Sequence, residues 1–414
     1  MRILMLAQVV AYPPDAGPKA KSLIVVRHLA RQHEVTLCAF ARSDSEVRNA
    51  AVLRQICHRV VTVPLHRSRL HDARFLLHSV AAHDSFLLCR DDRAAMHLMV
   101  RRLLREEQFD VIHVDQLNMM RFVPPDWHGT VVLDDHNAVW RVVERLRDSA
   151  HDPFRHWLFT REARIVGQAE GAACRRSHLV LAVSEQDRAA LQIVAGIGAP
   201  IEVVPIGVDL DRFLPVKSAR SPRPDRLLSV GTMFWPPNSD GVAWWLREGY
   251  DNLLTMCPDV TYDVVGARPS RHVRRLSRRY RGVRLHGYVA DPTPFWISAG
   301  VLAVPLLAGS GVRVKILEAM AMGVPVVSTS LGAEGLAVRS GDHLLLADTP
   351  AAFALACAAV LRDPALAQRL VERAYRLVRE RYAAPIAQQA LDTAYSHIRA
   401  RTAEGEDVPC ASRS

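Results

Sequence analysis

Lysine is almost missing from this 414-residue chain. It occurs only at Lys19, Lys21, Lys217 and Lys315, so arginine supplies nearly all the positive charge behind a formal net charge of +10. Long apolar runs are missing too: none reaches the roughly 18–20 residues that a membrane-spanning helix needs. The opening Met1-Arg2-Ile3-Leu4-Met5-Leu6-Ala7 is soon followed by Gln8 and a Pro-Pro-Asp turn. It is too short for a secretory signal and reads as a first buried strand. Seven cysteines are scattered singly with no Cys-x-x-Cys pair. That argues against a disulfide framework or a zinc site and for a reducing, cytoplasmic compartment. No short-period repeat is present, which removes solenoids and propellers. No Asp-x-Asp stands in a supporting context, so no metal is expected, and no module or aromatic-interleaved basic strip points to nucleic acid.

What is present fits a globular protein: 49% hydrophobic and 23% charged residues. The length is too great for one ordinary core, so two domains are expected. The positive balance has two readings, attraction to anionic partners or an arginine-heavy solvated surface, and composition alone does not separate them. Two segments mix basic with apolar residues, His66–Leu77 and Arg271–Arg284. A solvated helix face explains them, and so does peripheral contact with anionic lipid.

Short apolar runs alternate with helical-period segments throughout, the pattern of parallel sheets covered by helices. Strands are expected at Arg2–Ala7, Glu34–Phe40, Val60–Val63, Asp110–Asp115, Thr130–Asp134, Leu179–Val183 and Ile201–Pro205. A second series runs Arg226–Val230, Thr261–Val265, Val283–His286, Val301–Pro305, Pro325–Thr329 and Leu344–Leu346. Between the series, Leu214–Pro224 carries three prolines and reads as a linker. Helices follow at Ala351–Leu361, Pro364–Arg379 and Ala384–Arg401, then a polar tail, Thr402–Ser414, expected to fray. The domains expected are 1–213, 214–382, and a 383–414 helix returning to the first. Ligands of doubly wound sheets bind beyond the carboxyl ends of the strands, so a cleft between two such domains is the default site.

One segment carries chemistry. After the strand Val301–Pro305 come Gly309-Ser310-Gly311, then an apolar-periodic run ending at Met322-Gly323. Glycines let backbone approach a ligand, and free N–H groups opening a helix attract phosphate. Arg313 and Lys315 fall in the first turns and add charge-assisted contacts. Glu318 lies about two turns from Gly311 and faces the same way, placed to accept hydrogen bonds from ribose hydroxyls. An ordinary turn with a solvated lysine is the alternative reading of a lone glycine loop.

The stretch Gly309–Gly335, with Lys-Ile-Leu-Glu-Ala-Met-Ala-Met-Gly-Val-Pro-Val-Val-Ser-Thr, resembles the donor signature of glycosyltransferase family 4. The resemblance spans Met1 to about Tyr382. It implies a retaining, group 1 glycosyltransferase of α/β GT-B fold, with two Rossmann-like doubly wound domains facing across a cleft. The first domain would serve the acceptor and the second a nucleotide-diphosphate sugar. Of the family's Glu-x7-Glu pair, Glu318 matches the second, ribose-binding glutamate, while Ser310 stands in the place of the first. The loop Gly231-Thr232-Met233-Phe234-Trp235-Pro236-Pro237-Asn238 lacks the Arg and Lys that grip the diphosphate in many members, which makes Arg313 and Lys315 the natural substitutes.

The resemblance also assigns Gly17, Gly231, Gly309 and Gly311 to the phosphates, His136 of Asp134-Asp135-His136-Asn137 to the transferred sugar, and Arg268, Tyr288 and Val289 to the base; with Ser310 in the first glutamate's place, the other sugar-side contact falls to the Ser310 hydroxyl, backbone amides or another residue. In the first domain, Tyr12-Pro13-Pro14-Asp15-Ala16-Gly17-Pro18 resembles the family's Pro-Pro-Asp-x-Gly-Gly loop, with Lys19 and Lys21 adding charge near it. Val203–Asp209 resembles the family's Pro-Asn-Gly-Val-Asp crossing, with Ile206 in place of Asn. The expected partners are a nucleotide-sugar donor and a saccharide or lipid-linked acceptor, with no cofactor, in polysaccharide or glycolipid synthesis. The expected place is the cytoplasm or, peripherally, the inner face of the membrane. A nucleotide-sugar epimerase on the same fold, or a nucleotide-binding scaffold without transfer, remains open. A phosphorylase needing a pyridoxal-phosphate lysine fits a lysine-poor chain badly.

Overall fold

The computed structural model describes residues 1–148, 150, 152–309 and 311–403. Ser310 and the expected tail beyond Ala403 lie outside the described residues. The chain divides into two compact units, Met1–Pro205 with the segment that begins at Ala387, and Ile206–Ile386.

The first unit holds β1 (Arg2–Ala7), β2 (Glu34–Ala41), β3 (Arg59–Pro64), β4 (Val111–Asp115), β5 (Thr130–Asp134), β6 (Leu179–Ala182) and β7 (Ile201–Val203). They form one sheet in the order β3-β2-β1-β4-β5-β6-β7, every pair parallel. Parallel strands are covered on both faces, so they read as short apolar runs. Alternate residues of β1 show this: Leu4 and Leu6 join one core cluster, Ile3, Met5 and Ala7 the other. Leu391, Ala394, Tyr395 and Ile398 of the last helix, Ala384–Ala403, belong to the second of these clusters.

The other unit holds β8 (Arg226–Val230), β9 (Thr261–Val265), β10 (Val283–Gly287), β11 (Val301–Val304), β12 (Val326–Ser328) and β13 (Leu345–Leu346). Their order is β10-β9-β8-β11-β12-β13, again all parallel. The core here is aromatic. The Trp245 ring lies 4.9 Å from Phe353 and 6.1 Å from Tyr250, all three fully buried.

Each expected strand is present, with ends displaced by no more than two residues. The expected linker is not all linker: helix Leu210–Ser218 occupies its first part. Its start is capped by Asp209, whose Oδ1 accepts the Arg212 N–H at 3.2 Å, a signal that the prolines hid.

Among the described residues no single helix is long and apolar enough to cross a membrane. Pro350–Arg362 and Pro364–Arg381 reach that composition only as a pair bent by 98°. The first of them supplies Phe353, Ala354, Cys357 and Ala358 to the aromatic core.

Candidate functional site

In each sheet the strand order reverses once, between β1 and β4 and between β8 and β11. Chains leaving neighbouring strands there depart to opposite faces and open a crevice beyond the carboxyl ends. The polar chemistry of both units gathers at these points.

In the second unit, β8 runs into Gly231 and β11 into Gly309, then into helix Val314–Ala321. Gly309 (φ 124°) and Gly311 (φ 78°) take backbone conformations that glycine alone adopts readily. The helix opens at Val314. Arg313 is its N-cap, and no side-chain capping bond is present among the described residues. The arginine curls back on its own loop: Nη1 donates to Gly311 O at 2.9 Å, and a Cβ on Gly309 would meet Nη2 at 2.6 Å.

Lys315 sits in the first turn and reaches across the crevice. Its Nζ donates to Val230 O at 3.1 Å and to Asn238 Oδ1 at 2.9 Å. A Cβ on Gly231 would come within 3.1 Å of that Nζ. Burial, helped by the positive charge of Arg313, drives the Lys315 ammonium down to about 7. Burial also pushes the Glu318 carboxyl up to about 7, against the opposing pull of Arg212. Among the described residues the Glu318 carboxylate makes no side-chain hydrogen bond. A cation and a carboxylate, each poorly solvated and on one short helix, suit a ligand bearing phosphate at one end and hydroxyls further along.

The residues expected near a base stand at the ends of the neighbouring strands β9 and β10. Backbone bonds tie these loops together: Met233 N to Ala267 O at 3.1 Å and Gly266 N to Gly287 O at 2.8 Å. Arg268 has a φ of 54°, and its guanidinium lies 4.0 Å from the centre of the Phe234 ring. Tyr288 is 66% exposed and Val289 is half-buried.

In the first unit, helix Gly17–Gln32 follows the loop after β1. Gly17 is its first residue, but the lysines expected to reinforce the loop are committed elsewhere. Lys19 pairs with Asp15 at 3.1 Å and Glu46 at 3.6 Å, and Lys21 is buried against Asp134. Apolar packing of the helix turns Lys21 inward, and its charge demands a carboxylate there. Asp134 ends β5, and Asp115, its register partner, ends β4. Asp115 accepts from Ser22 Oγ at 2.8 Å and bonds His136 Nε2 at 2.9 Å. Burial raises the Asp134 carboxyl, yet Lys21, His113 and His136 together hold it well below the ordinary carboxylate range. His113 in turn meets Tyr395 of the last helix at 2.8 Å.

His136 is therefore 9% exposed and fixed by Asp115, with its Nδ1 buried and without a hydrogen bond among the described residues. Beside it, burial and the facing Glu170 push the Asp135 carboxyl well up. Glu170 itself rises to about 7 through burial, opposed by the N–H groups of Trp140 and Val139 that it accepts.

Asp115, Asp134 and His136 bring ligand-type atoms within 4.8 Å of one another. Lys21 and Ser22 already donate to these carboxylates, so the group fits a proton-bonded charge cluster without an ion. Sequence reading missed Asp115, Ser22 and Asn238. The first ends a strand neighbouring the one before His136, a signal available once the sheet order is known. The amide of Asn238 closes a loop that lacks any cation.

Residues 224–363 match the family model described as glycosyl transferases group 1, and residues 23–212 that of glycosyltransferase family 4. A protein of the cps region of Klebsiella pneumoniae is 29% identical over 136 residues, 31% of this chain and 35% of that protein. The phosphatidyl-myo-inositol mannosyltransferase of Mycobacterium leprae is 26% identical over 295 residues, 69% of this chain and 73% of the relative. Among solved structures, Anabaena Alr3699/HepE with UDP and glucose aligns over 96% of this chain and 100% of its own, at TM-score 0.67 and 15% identity. Sucrose-phosphate synthase from Thermosynechococcus elongatus aligns over 97% and 100%, at TM-score 0.73 and 16% identity. At such identities these likenesses establish the fold, GT-B.

Proposed function

This chain belongs to the group 1 glycosyltransferases of family 4, and from that premise we propose a retaining enzyme that moves a sugar from a nucleotide-diphosphate sugar to a saccharide or lipid-linked acceptor. The observation that carries the donor half is Lys315, reaching from the first turn of its helix to the end of β8 at the point of strand reversal. Gly231, Gly309, Gly311, Arg313 and Lys315 take the diphosphate, Glu318 the ribose, and Arg268, Tyr288 and Val289 the base. Gly17 adds a phosphate contact, and His136 and Ser310 contact the transferred sugar. The donor phosphate oxygen accepts the acceptor's proton, so no protein base, metal or cofactor enters the proposal.

The relatives' names recommend a mannose donor and an inositol-lipid acceptor for the first assays, and the solved neighbours a UDP-linked glucose. A thermal-shift panel of UDP-, GDP-, ADP- and TDP-linked sugars, followed by turnover with candidate acceptors, tests the reading. Retention shows as an α-linked product from an α-linked donor. Nucleoside diphosphate binding with no turnover on any acceptor would favour a scaffold instead. We also place the enzyme in the cytoplasm with peripheral contact to anionic membrane. Helix Arg69–Ala81 leaves Leu77 74% exposed within a basic stretch, and sedimentation with phosphatidylglycerol vesicles against phosphatidylcholine vesicles checks the contact.

A further inference from the structure

We infer that Asn238 is a positioning residue that holds the Lys315 ammonium toward the diphosphate, an inference that rests on the donor-site reading above. Asn238 lies in the first turn of helix Pro236–Trp244, where its N–H bonds Trp235 O at 3.1 Å. Its Nδ2 donates to Thr232 O at 3.1 Å, which fixes the amide's orientation and presents Oδ1 to Lys315 Nζ at 2.9 Å. Gly231 closes the remaining side, since a Cβ there would lie 3.0 Å from Nδ2 and 3.1 Å from Nζ.

A lysine carries three donors on a flexible four-carbon stem. Two of them are taken by Asn238 Oδ1 and Val230 O, so the ammonium is held in one place, with a third donor left over among the described residues. The chemistry of the holder matters. Residues 231–238 bear no titratable side chain, and Asp240 is the one charged residue of helix Pro236–Trp244. Arg313 is the cation nearest in sequence and Glu318 lies one turn along the helix. A neutral amide orients the ammonium without neutralising it. A carboxylate at the same place would consume the charge and repel phosphate. Asn238 thus links the loop after β8 to the helix after β11 across the strand reversal, giving a cation-free loop a share in phosphate binding.

The test is calorimetry of UDP and of uridine from pH 6 to 10 on the full chain, as wild type and as Asn238→Leu, Asn238→Asp and Lys315→Met. In wild type, UDP affinity should fall on the alkaline side once Lys315 must take up a proton to bind, beginning near pH 7. Asn238→Leu should weaken UDP about tenfold at pH 7 while sparing uridine, and should start the fall at lower pH. Asn238→Asp should start it about a unit higher, because a carboxylate favours the ammonium. A merely structural role would weaken both ligands together and leave the start of the fall in place. If Lys315→Met abolishes the fall but neither Asn238 variant moves it, this inference is overturned and the donor site stands. If the fall persists in Lys315→Met, the donor-site role of Lys315 fails with it.

Discussion

Replacing Lys315 by methionine keeps most of the side-chain volume and removes the ammonium, its charge together with its donors to Val230 and Asn238, so it isolates what the ammonium does. A hydrogen bond from a charged donor contributes about 1.5–3 kcal/mol, and each ~1.4 kcal/mol is tenfold, so UDP should bind about 10–100-fold more weakly. Uridine, which lacks the diphosphate, should bind as before. Stability supplies a second readout. The folded-state value for Lys315 lies near 7, below its ordinary 10.5. Below pH 7 both states carry the proton and the folded state bears the whole cost of the buried cation. As pH rises from 7 to 10.5 the folded state sheds its proton first, the cost disappears, and stability increases. The methionine variant should lose that rise, seen as urea midpoints that stay level where the wild-type midpoints climb. Equal loss of UDP and uridine, or a climb that survives the substitution, would refute the assignment.

Glu318→Gln should weaken UDP about tenfold yet leave 2′,3′-dideoxy-UDP nearly unchanged, by calorimetry. Because burial raises this carboxyl from 4.5 to about 7, its contribution to stability is complete below pH 4.5 and lost as pH climbs through 7. The glutamine variant should show no such decline. Lys21→Met leaves Asp134 buried with only His113 and His136 to offset its charge and should cost the first unit up to about 3–5 kcal/mol in chemical denaturation, with UDP affinity kept. The depressed Asp134 makes that pair's contribution present above its unfolded value and lost as pH falls, so the variant should also be less sensitive to acid. Phe353→Ala opens the aromatic core of the second unit and should cost about 3–5 kcal/mol, read as an earlier transition reported by the tryptophan fluorescence of Trp244 and Trp245.

The strands were legible because parallel sheets buried on both faces leave short apolar runs whatever the partner. The glycine loop and helix proposed for the donor were legible as local structure because Gly309, Gly311, Lys315 and Glu318 are neighbours in sequence, and a local turn into a helix brings them together. What stayed hidden depends on the order of strands in a sheet. Lys21 and Asp134 are 113 positions apart, and Asn238 and Lys315 are 77 apart. No local pattern says that β4 and β5 lie side by side, and only that register brings Asp115 beside Asp134 and within reach of His136. Lys19 and Lys21 looked like phosphate ligands because sequence shows charge and conceals the direction in which a helix turns it.

The scarcity of lysine then acquires a physical sense. Each of the four is engaged at a specific place: Lys19 with Asp15 and Glu46, Lys21 with Asp134, Lys217 with its Nζ 3.1 Å from the Tyr375 ring centre, and Lys315 with Val230 and Asn238. Arginine carries the remaining positive charge and stays protonated throughout the working range of pH. Lysine alone can be brought near neutrality by burial, and at Lys315 burial does so. An arginine in the loop after β8 would hold a diphosphate with no dependence on alkali. A lysine on the opposite helix, steadied by an uncharged amide, would make the same contact proton-linked. Diphosphate affinity that stays flat from pH 7 to 10 in the wild-type chain would show that Arg313, and not Lys315, carries the charge of this site.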